Sequence, residues 1–163
     1  MGNPQSVLHE VAITAIIAKD GKYLITRRAK TKKRFPGKWT VPGGKLETSD
    51  YMRFSKDTHD YWYNVLECVL HREVQEEVGL AIKNIEYVTS LATVHADGAP
   101  SLVISCMADW DSGDVTLDKK EADAYAWVTP EEAGSYDLIA GIQEEIQMAD
   151  ARRKGERSEW KRS

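Results

Sequence analysis

A run of apolar residues at helical spacing limits the fold of this chain more than any other feature. Between residues 57 and 78 the apolar positions are Trp62, Leu66, Val69, Leu70 and Val74. Positions three and four residues apart lie on one face of an α-helix, so this face must be buried against another layer of the protein. Gly79 follows directly and is a residue that commonly ends helices. We therefore predict a long amphipathic helix over residues 57–78.

Extended patterns flank this helix on both sides. The strands that we predict cover residues 11–18, 23–28, 39–41, 85–89, 91–95, 102–108 and 124–128. The first two flank Asp20-Gly21, a dipeptide typical of a tight β-hairpin. Thr129 begins a short helix as its cap, and a final amphipathic helix covers residues 138–151. Strands, helix, strands and helix in this order predict an α/β sandwich in which helices cover a sheet.

The length and composition fit one domain over residues 1–163, with a core at about 8–151 and a charged tail, 152–163, that we expect to fray. Hydrophobic residues make up 42% of the chain, yet no run reaches the roughly 18 apolar residues of a membrane span. The net charge of −4 disfavours a protein that binds nucleic acid non-specifically. We therefore expect neither a membrane nor a nucleic acid as a partner.

The cysteines and the N-terminus bear on location. Cys68 and Cys106 are far apart and lack the spacing of a metal site, so we expect both to stay reduced inside the fold. No basic region followed by an apolar run opens the chain, so we expect no secretory signal. Gly2 and Ser6 match the short N-myristoylation pattern, for which a plain N-terminus is the simpler interpretation. These features predict a cytoplasmic protein.

Three glutamates converge near the end of the predicted helix. Glu73, Glu76 and Glu77 are three and four residues apart, which places their carboxylates on one face. They repel each other, and acids at a helix C-terminus also oppose the helix dipole. A divalent cation would offset this repulsion, and hard oxygen ligands favour Mg²⁺ or Mn²⁺. Arg72 can hold one of these glutamates with a forked hydrogen bond. A solvated acidic face is the alternative interpretation of this segment taken alone.

A glycine pair follows the strand predicted at residues 39–41. In Pro42-Gly43-Gly44 the glycines allow backbone conformations closed to other residues. They also let a backbone carbonyl or amide approach a metal or a phosphate closely. A Pro-Gly-Gly turn on its own is common, so its meaning comes from its combination with the acidic helix.

The glycine turn and the acidic helix together resemble the Nudix family. The family signature is G-x5-E-x7-R-E-U-x-E-E-x-G-U, where U is a bulky aliphatic residue. The chain matches its second half at every position between Arg72 and Leu80, and its first half at Gly44. The resemblance extends over about residues 11–147. It implies an α/β/α sandwich with a mixed β-sheet between helices, and a hydrolase that depends on Mg²⁺ or Mn²⁺.

The chain departs from the signature at one glutamate. Counting back from Arg72, that position is Asn64, and 19 residues separate Gly44 from Asn64 where the signature has 5. We therefore predict 14 inserted residues within 48–63, whose aromatic content suits a packed loop. Such a loop could cover the mouth of the site or join a dimer contact. The family's glutamate usually supports the arginine, and Glu67, one helical turn after Asn64, is our candidate substitute.

The resemblance assigns roles to particular residues. The metal ligands that it implies are Gly44, Glu73, Glu76 and Glu77, and the catalytic candidates are Glu73, Glu76, Glu77, Arg72 and Glu121. Glu121 precedes Trp127 by six residues and matches an acid that many members place near the metals, although a plain exposed acid fits the same sequence. The candidate substrate-binding residues are Arg27, Arg28, Trp39 and Lys45. Packing beside the glycine turn is the alternative role for Trp39.

The function implied is cleavage of the pyrophosphate bond in a nucleoside diphosphate linked to another moiety. The lead-in to the glycine pair favours a nucleoside triphosphate, and a nucleotide sugar such as ADP-ribose is an alternative substrate. A non-catalytic nucleotide-binding Nudix domain is an alternative function, against which the three retained glutamates argue. An isopentenyl-diphosphate isomerase would need a catalytic cysteine, and neither cysteine lies in a suitable loop. Family members are often dimers, so the resemblance also allows a homodimer.

Overall fold

The computed structural model describes residues 7–162, and it confirms the predicted sandwich. The strands are β1 Glu10–Lys19, β2 Lys22–Arg28, β3 Trp39–Thr40, β4 Gly43–Lys45, β5 Ala81–Val94, β6 Pro100–Ser112 and β7 Ala122–Val128. The helices are α1 Ser49–Met52, α2 Val65–Val78, α3 Pro130–Ala133 and α4 Ile142–Arg153. None of the helices in this part of the chain is long and apolar enough to cross a membrane. The N-myristoylation match at Gly2 and Ser6 lies outside the described residues.

The strands form one mixed sheet. Its central order is β3-β2-β1-β6-β5, with β4 added on β1 and β7 added on β2. β1 and β6 run parallel, from Glu10 opposite Ser101 to Ala18 opposite Asp109. The other strand pairs are antiparallel. β1 therefore lies at the centre of the sheet and has neighbouring strands along both of its edges.

The hairpin between β1 and β2 opens soon after its turn. Asp20 and Gly21 form that turn with φ values of 51° and 75°, which are typical of a type I′ hairpin. β1 and β2 then pair directly at only two positions, Ala18 with Tyr23 and the residues next to the turn. The two strands therefore diverge and leave backbone groups that need other partners.

Residues 39–45, which we call the wedge, fill the opening between β1 and β2. The first part of the wedge is β3, which pairs with β2. The last part is β4, which pairs with β1 at Gly43 and Gly44. Between them the Pro42 carbonyl accepts the Ala15 N–H at 2.8 Å. The wedge satisfies the backbone groups that the hairpin leaves open, and it fixes the glycine pair within the sheet.

Alternation along β1 sends its side chains to two cores on opposite faces of the sheet. Ile13, Ala15 and Ile17 pack against α2, whereas Ile16 and Ala18 pack against α4. The residues that α2 buries in the first core are Val69, Leu70, Val74 and Val78. Full burial of each side chain of this size stabilises the fold by about 1.5–3 kcal/mol. This packing holds α2 against the centre of the sheet, next to the wedge.

The helix predicted over residues 57–78 is wrong in its first third. α2 begins at Val65, because Asn64 before it has a φ of 54°. Asparagine tolerates this left-handed conformation, but a continuing right-handed helix excludes it. Trp62 leaves the expected face and packs on Tyr51, with ring centroids 5.2 Å apart. From Leu66 onward the apolar positions keep the face that their spacing predicts.

The loop between α1 and α2 is held by its own polar groups. The Trp62 indole N–H donates to the Phe54 carbonyl at 2.9 Å, and the Tyr63 N–H donates to Asp57 at 2.9 Å. The Lys56 ammonium lies 5.1 Å from the centre of the Trp62 ring. Of the five aromatic side chains in this segment, Tyr51 and Trp62 pack on each other but Phe54, Tyr61 and Tyr63 are exposed, so the predicted packing of the aromatic loop is correct only in part.

The two strands predicted at residues 85–89 and 91–95 are one strand, β5. Its pairing with β6 shifts register at β-bulges and then continues, so the ladder does not stop between them. β6 is correspondingly longer than the predicted 102–108. The ladder is regular at the predicted break, where Ser90 pairs with Ile104, so the prediction mistakes one polar residue within the strand for its end.

The last helix begins at Ile142 and not at residue 138, because Gly141 before it has a φ of 95°. α4 also continues into the segment that we expected to fray. The Arg152 guanidinium donates to the Ser158 carbonyl at 3.0 Å. The described part of the tail therefore contacts the end of α4, while its fraying stays a prediction.

We expect Gly43→Ala to lower the free energy of unfolding by about 2–3 kcal/mol, as overpacked positions do. A Cβ at Gly43 would lie 2.3 Å from the carbonyl oxygen of Ile13 and 2.8 Å from Thr14 Cα. Both atoms belong to the backbone of β1, which cannot shift without disturbing the sheet. Urea denaturation followed by circular dichroism measures the change.

Gly98→Ala is the control for this prediction. Gly98 has a φ of +86°, and a Cβ there would meet nothing within 4 Å. The control therefore carries only the strain of a left-handed alanine, about 1 kcal/mol. Equal losses in the two variants would contradict the close contact between the wedge and β1.

Candidate active site

The last turns of α2 present three carboxylates with different exposures. Glu77 is 9% exposed, the side chain of Glu73 is 19% exposed and that of Glu76 is 60% exposed. Val74 and Val78 beside them are fully buried, which fixes the orientation of the helix. The acids therefore run from the edge of the core to solvent.

The wedge lies against the two less exposed acids. The Gly43 N–H donates to Glu77 Oε2 at 3.1 Å. A Cβ at Gly44 would lie 2.1 Å from the carboxyl carbon of Glu73 and 2.3 Å from both of its oxygens. Only glycine leaves room for the carboxylate here, so the glycine pair has a steric role at the acids.

Burial raises the pKa of Glu77 to about 7. The negative charges of Glu121 and Glu73 add to this rise, whereas the Gly43 N–H and the Arg28 guanidinium oppose it. A carboxyl group with this pKa can accept and release a proton near neutral pH. The sequence does not show that Glu77 differs from Glu73 and Glu76 in this way, because the difference comes from its burial.

Burial also raises the pKa of Glu73, although the charge and hydrogen bond of Arg72 oppose the rise. Glu76 and Glu121 contribute to it by repulsion. The charge of Glu121 thus affects the pKa of both Glu73 and Glu77, and we call these three acids together with Glu76 the cluster.

The loop before β7 brings Glu121 to this cluster. The backbone of this loop is hydrogen-bonded to the end of α2. The Thr116 N–H donates to the backbone carbonyl of Val78, and the Asp118 N–H donates to the backbone carbonyl of Glu77, both at 2.9 Å. The Glu121 N–H then donates to the Asp118 carbonyl at 2.9 Å. The same hydrogen bonds that satisfy the helix C-terminus position this fourth acid.

The Glu121 carboxylate forms an ion pair with a lysine. Lys32, from the loop between β2 and β3, places its Nζ 2.6 Å from Glu121 Oε2. Lys32 is 28% exposed at its side chain and Glu121 is 44% exposed. Glu121 is thus neither fully exposed nor unpaired.

Arg72 joins the acids of α2 to Asp50. Its Nε and Nη2 donate to the two carboxylate oxygens of Asp50 as a fork. Its Nη1 lies 2.9 Å from Glu73 Oε1 and 3.1 Å from Glu76 Oε2. Asp50 is 2% exposed and accepts the Glu47 N–H at 2.8 Å. Above all, the hydrogen bond that Arg72 donates to Asp50 raises the pKa of Arg72, so the guanidinium stays charged.

Our candidate substitute for the missing signature glutamate is wrong, because Asp50 and not Glu67 supports Arg72. Among the described residues the ion-pair partners of Arg72 are Asp50, Glu73 and Glu76. Glu67 is exposed on another part of α2.

The support of Arg72 by Asp50 also corrects the predicted position of the insertion. Asp50 is six residues after Gly44, which is the signature spacing when it is counted forward. The 14 extra residues are therefore 51–64 and follow the acid, whereas the backward count to Asn64 placed them within 48–63. The chain keeps an acid at the signature position as aspartate, and α1, which carries it, contacts α2.

Arg28 is the predicted substrate-binding residue that lies at the acids. Its half-buried guanidinium faces the charges of Glu77 and Glu121, and its Nε donates to the Arg34 carbonyl at 2.8 Å. Burial lowers its pKa, but an arginine remains charged at neutral pH. The cluster therefore combines acids with a fixed positive charge.

The other predicted substrate-binding residues have different partners. Arg27 donates to Asp123 at 2.6 Å and lies 5.9 Å from the centre of the Trp39 ring. Trp39 packs in the core beneath α4, which supports its alternative role. The Lys45 ammonium lies 3.1 Å from a carboxylate oxygen of Glu10. The structure does not bring these three side chains to the cluster.

The donor set fits a hard divalent cation. The Glu73 carboxylate lies against Gly44, the Glu77 carboxylate accepts the Gly43 N–H, and the charge of Glu121 adds to a repulsion that Arg28 and Arg72 only partly offset. In residues 7–162 no three acidic, histidine or cysteine side chains already converge on one point. Arg72 holds Glu73 and Glu76 instead. The residues fit such an ion by chemistry and proximity.

Comparisons with known proteins define the class of this chain. The NUDIX domain model matches residues 8–149, and the chain therefore belongs to the NUDIX family. This confirms the resemblance carried by Gly44 and by the segment from Arg72 to Leu80, and it makes the chain a Nudix pyrophosphohydrolase. Nudix hydrolases generally use divalent metal ions, in agreement with the donor set.

Two curated relatives carry the same name. The chain is 30% identical over 138 residues to nucleoside triphosphatase NudI of Salmonella agona, which covers 77% of this chain and 86% of the relative. It is 26% identical over 148 residues to nucleoside triphosphatase NudI of Escherichia fergusonii, which covers 83% of this chain and 93% of the relative.

Solved structures agree on the fold. A MutT NUDIX hydrolase from Burkholderia pseudomallei has a TM-score of 0.69 at 20% identity, covering 86% of this chain and 98% of its own. The NUDIX domain of Shewanella oneidensis NrtR complexed with ADP ribose has a TM-score of 0.66 at 19% identity, covering 90% and 89%. At these identities the likeness concerns the fold alone.

We expect Asp50→Asn to lower the rate of hydrolysis about 10- to 100-fold, as the loss of a residue that orients metal ligands does. Asparagine keeps the volume but removes the charge and one acceptor of the fork to Arg72. Glu73 and Glu76 then lose the fixed guanidinium that holds them together. Steady-state kinetics on a nucleotide that the wild type hydrolyses measure the effect.

Glu67→Gln is the matched control, because it also removes one acid from the same region but has no ion pair with Arg72. Its activity should stay within about twofold of wild type. The assignment fails if the two variants lose equal activity while both remain folded by circular dichroism.

We expect the metal-free protein to lose stability as the pH rises through the titration of Glu77. Its pKa is raised from 4.5 to about 7 by burial, so between these values the folded state binds more protons than the unfolded state. The stabilisation is complete below pH 4.5 and is lost as the pH approaches 7. Glu77→Gln removes this dependence and should gain up to about 3 kcal/mol on the wild type between pH 5 and pH 8.

Urea denaturation in EDTA at several pH values measures this difference. Glutamine can still accept the Gly43 N–H, so the comparison isolates the charge. A difference between variant and wild type that stays constant from pH 5 to pH 8 would show that the buried carboxyl titrates normally.

Proposed function

We propose that this chain is a Mg²⁺- or Mn²⁺-dependent hydrolase that cleaves the pyrophosphate bond of a nucleoside triphosphate. The observation that supports it most is the meeting of Glu73, Glu77 and Glu121 with the glycine pair and with Arg28. Acids alone would attract a cation, but an arginine beside them adds a partner for phosphate. The relatives named nucleoside triphosphatase support this substrate class.

The acids of α2 would hold the ion. In this proposal the ligands are Glu73, Glu76, Glu77 and the carbonyl of Gly44. A divalent cation, when bound, neutralises phosphate charge and lowers the pKa of a coordinated water. Arg72 contributes by holding Glu73 and Glu76 side by side, and Asp50 contributes by holding Arg72.

Arg28 would bind a non-bridging oxygen of the substrate's phosphates. A water oxygen then attacks one phosphorus, the bridging P–O bond breaks, and the departing phosphate keeps the electron pair. The proton of the attacking water goes to a carboxylate. Glu77, with a pKa of about 7, and Glu121 are the candidates for this role. Because crowded acids titrate together, we assign the base to this pair and not to one residue.

A nucleotide sugar such as ADP-ribose is the second candidate substrate. The NrtR domain, which has a similar fold, was solved in complex with ADP ribose. The alternative of a non-catalytic nucleotide-binding domain is disfavoured because Glu73, Glu76 and Glu77 are all present, and Glu73 and Glu77 lie at the glycine pair. The homodimer and the cytoplasmic location that the sequence suggests stay predictions.

We expect the purified protein to hydrolyse at least one member of a panel of nucleoside triphosphates, nucleotide sugars and dinucleotides with Mg²⁺ or Mn²⁺. A coupled phosphatase or pyrophosphatase converts the products to phosphate for detection. Glu76→Gln and Glu77→Gln should lose about 100-fold or more, as the removal of a group that acts in the transition state does.

Glu86→Gln, an exposed acid on β5 outside the cluster, is the control and should keep wild-type activity. Turnover of a nucleotide sugar but of no triphosphate would support the second candidate. If no panel member is turned over while calorimetry still detects nucleotide binding, the chain is a binding domain and the proposal is wrong.

A further inference from the structure

The loop between β2 and β3 carries several cations, of which one is paired with an acid of the cluster. Lys32 Nζ lies 2.6 Å from Glu121 Oε2, with its side chain 28% exposed. Lys33, the next residue, is exposed, and among the described residues it forms no ion pair. The two neighbouring lysines therefore differ in their contacts although they are the same residue type.

The backbone of this loop is fixed where it meets Glu121. The Ala29 N–H donates to the Glu121 carbonyl at 2.9 Å, and the Lys32 N–H donates to the Ala29 carbonyl at 3.1 Å. These two bonds link the lysine and the glutamate through the main chain as well as through their side chains. The ion pair is therefore presented by a closed turn and not by two freely moving chains.

The far side of the loop is also anchored. Arg34 lies 2.8 Å from a carboxylate oxygen of Glu10 and 2.9 Å from one of Asp97. Its carbonyl accepts the Arg28 Nε–H at 2.8 Å. Arg34 thus ties the loop to β1, to the turn after β5 and to the arginine at the acids, which keeps Lys32 over the cluster.

The carboxylate that Lys32 covers acts on the rest of the cluster. The Glu121 N–H donates to the Asp118 carbonyl, and the Asp118 N–H donates to the Glu77 carbonyl, both at 2.9 Å, so the main chain holds Glu121 beside the end of α2. In agreement with this position, its charge adds to the raised pKa of both Glu73 and Glu77. A divalent cation that is drawn to these carboxylates would find Glu121 already neutralised by an ammonium group. The lysine and the cation would compete for the same oxygen atoms.

We propose that Lys32 is a placeholder cation, which occupies the Glu121 carboxylate in the metal-free protein and gives it up when a divalent cation takes that carboxylate. The inference rests on the proposed function, and it adds the Glu121 carboxylate to the four ligands named there. Lys32 reduces the repulsion among the acids when no metal is bound. It also lowers the affinity of that part of the site for metal.

The test is Mn²⁺ binding to the metal-free protein without substrate, followed by electron paramagnetic resonance of the free ion. Glu121→Gln first identifies the class of Mn²⁺ site that depends on Glu121. For that class, Lys32→Ala should tighten binding about 3- to 5-fold, the strength of a partly exposed ion pair. Lys32→Arg keeps the pair and should stay within about 1.5-fold of wild type.

Two controls separate the pair from a general effect of charge. Lys33→Ala removes the same charge one residue away and should change binding less than about 1.5-fold. In the Glu121→Gln background, Lys32→Ala should no longer change the affinity of the remaining sites. Circular dichroism confirms that each variant is folded.

Each other result overturns a defined part of the account. Equal Mn²⁺ affinity in wild type and Lys32→Ala, or a tightening that persists in Glu121→Gln, contradicts the placeholder role and leaves the proposed function standing. If Glu121→Gln binds as many Mn²⁺ ions as the wild type with the same affinities, the placeholder role is also contradicted. An absence of Mn²⁺ binding in the wild type contradicts the proposed function itself.

Discussion

The site depends on the separation of β1 from β2 and on the wedge that enters between them. Its two glycines meet different constraints. Gly43 must pass the backbone of β1, where a Cβ would lie 2.3 Å from the Ile13 carbonyl oxygen. Gly44 must pass the Glu73 carboxylate, where a Cβ would overlap the carboxyl group. One constraint maintains the sheet, and the other brings a main-chain segment into contact with the acids of α2.

The second constraint on the structure is electrostatic. The negative charge of Glu121 adds to the raised pKa of both Glu73 and Glu77, and the nearby arginines offset part of that repulsion. Arg72 is fixed by Asp50 and holds the acids on the outer side of α2, while Lys32 neutralises Glu121. Such clusters of opposed charges are common where proteins bind metals and phosphates. The repulsion that remains is the driving force that we assign to metal binding.

Much of this arrangement follows from local sequence. The hairpin at Asp20-Gly21 and the cap at Thr129 depend on neighbouring residues, and the structure confirms both, including a capping box at Thr129. The spacing of Glu73, Glu76 and Glu77 likewise places them on one helical face. Identification of these acids needs only the periodicity of a helix.

The errors arise where the decisive contact is distant in sequence. The pattern before α2 continues the helical spacing, but the left-handed Asn64 and the contact of Trp62 with Tyr51 replace the helix with a loop. A backward count of the signature from Arg72 crosses the insertion and misses Asp50, whereas a forward count from Gly44 reaches it. Nothing in the sequence distinguishes Lys32 from the lysine beside it, since its partner is supplied by a loop 89 residues later.

The central claim is that the glycine backbone and the carboxylates of α2 form one divalent-cation site, and Gly44→Ala tests it most directly. The three atoms nearest to the added Cβ all belong to the carboxyl group of Glu73, at the end of a flexible side chain, so the melting temperature should stay within about 2 °C of wild type, less than 1 kcal/mol for a chain of this size. The measurement is Mn²⁺ affinity by electron paramagnetic resonance, for which the account predicts a loss of about tenfold or more. Wild-type Mn²⁺ affinity in a folded Gly44→Ala protein would contradict it.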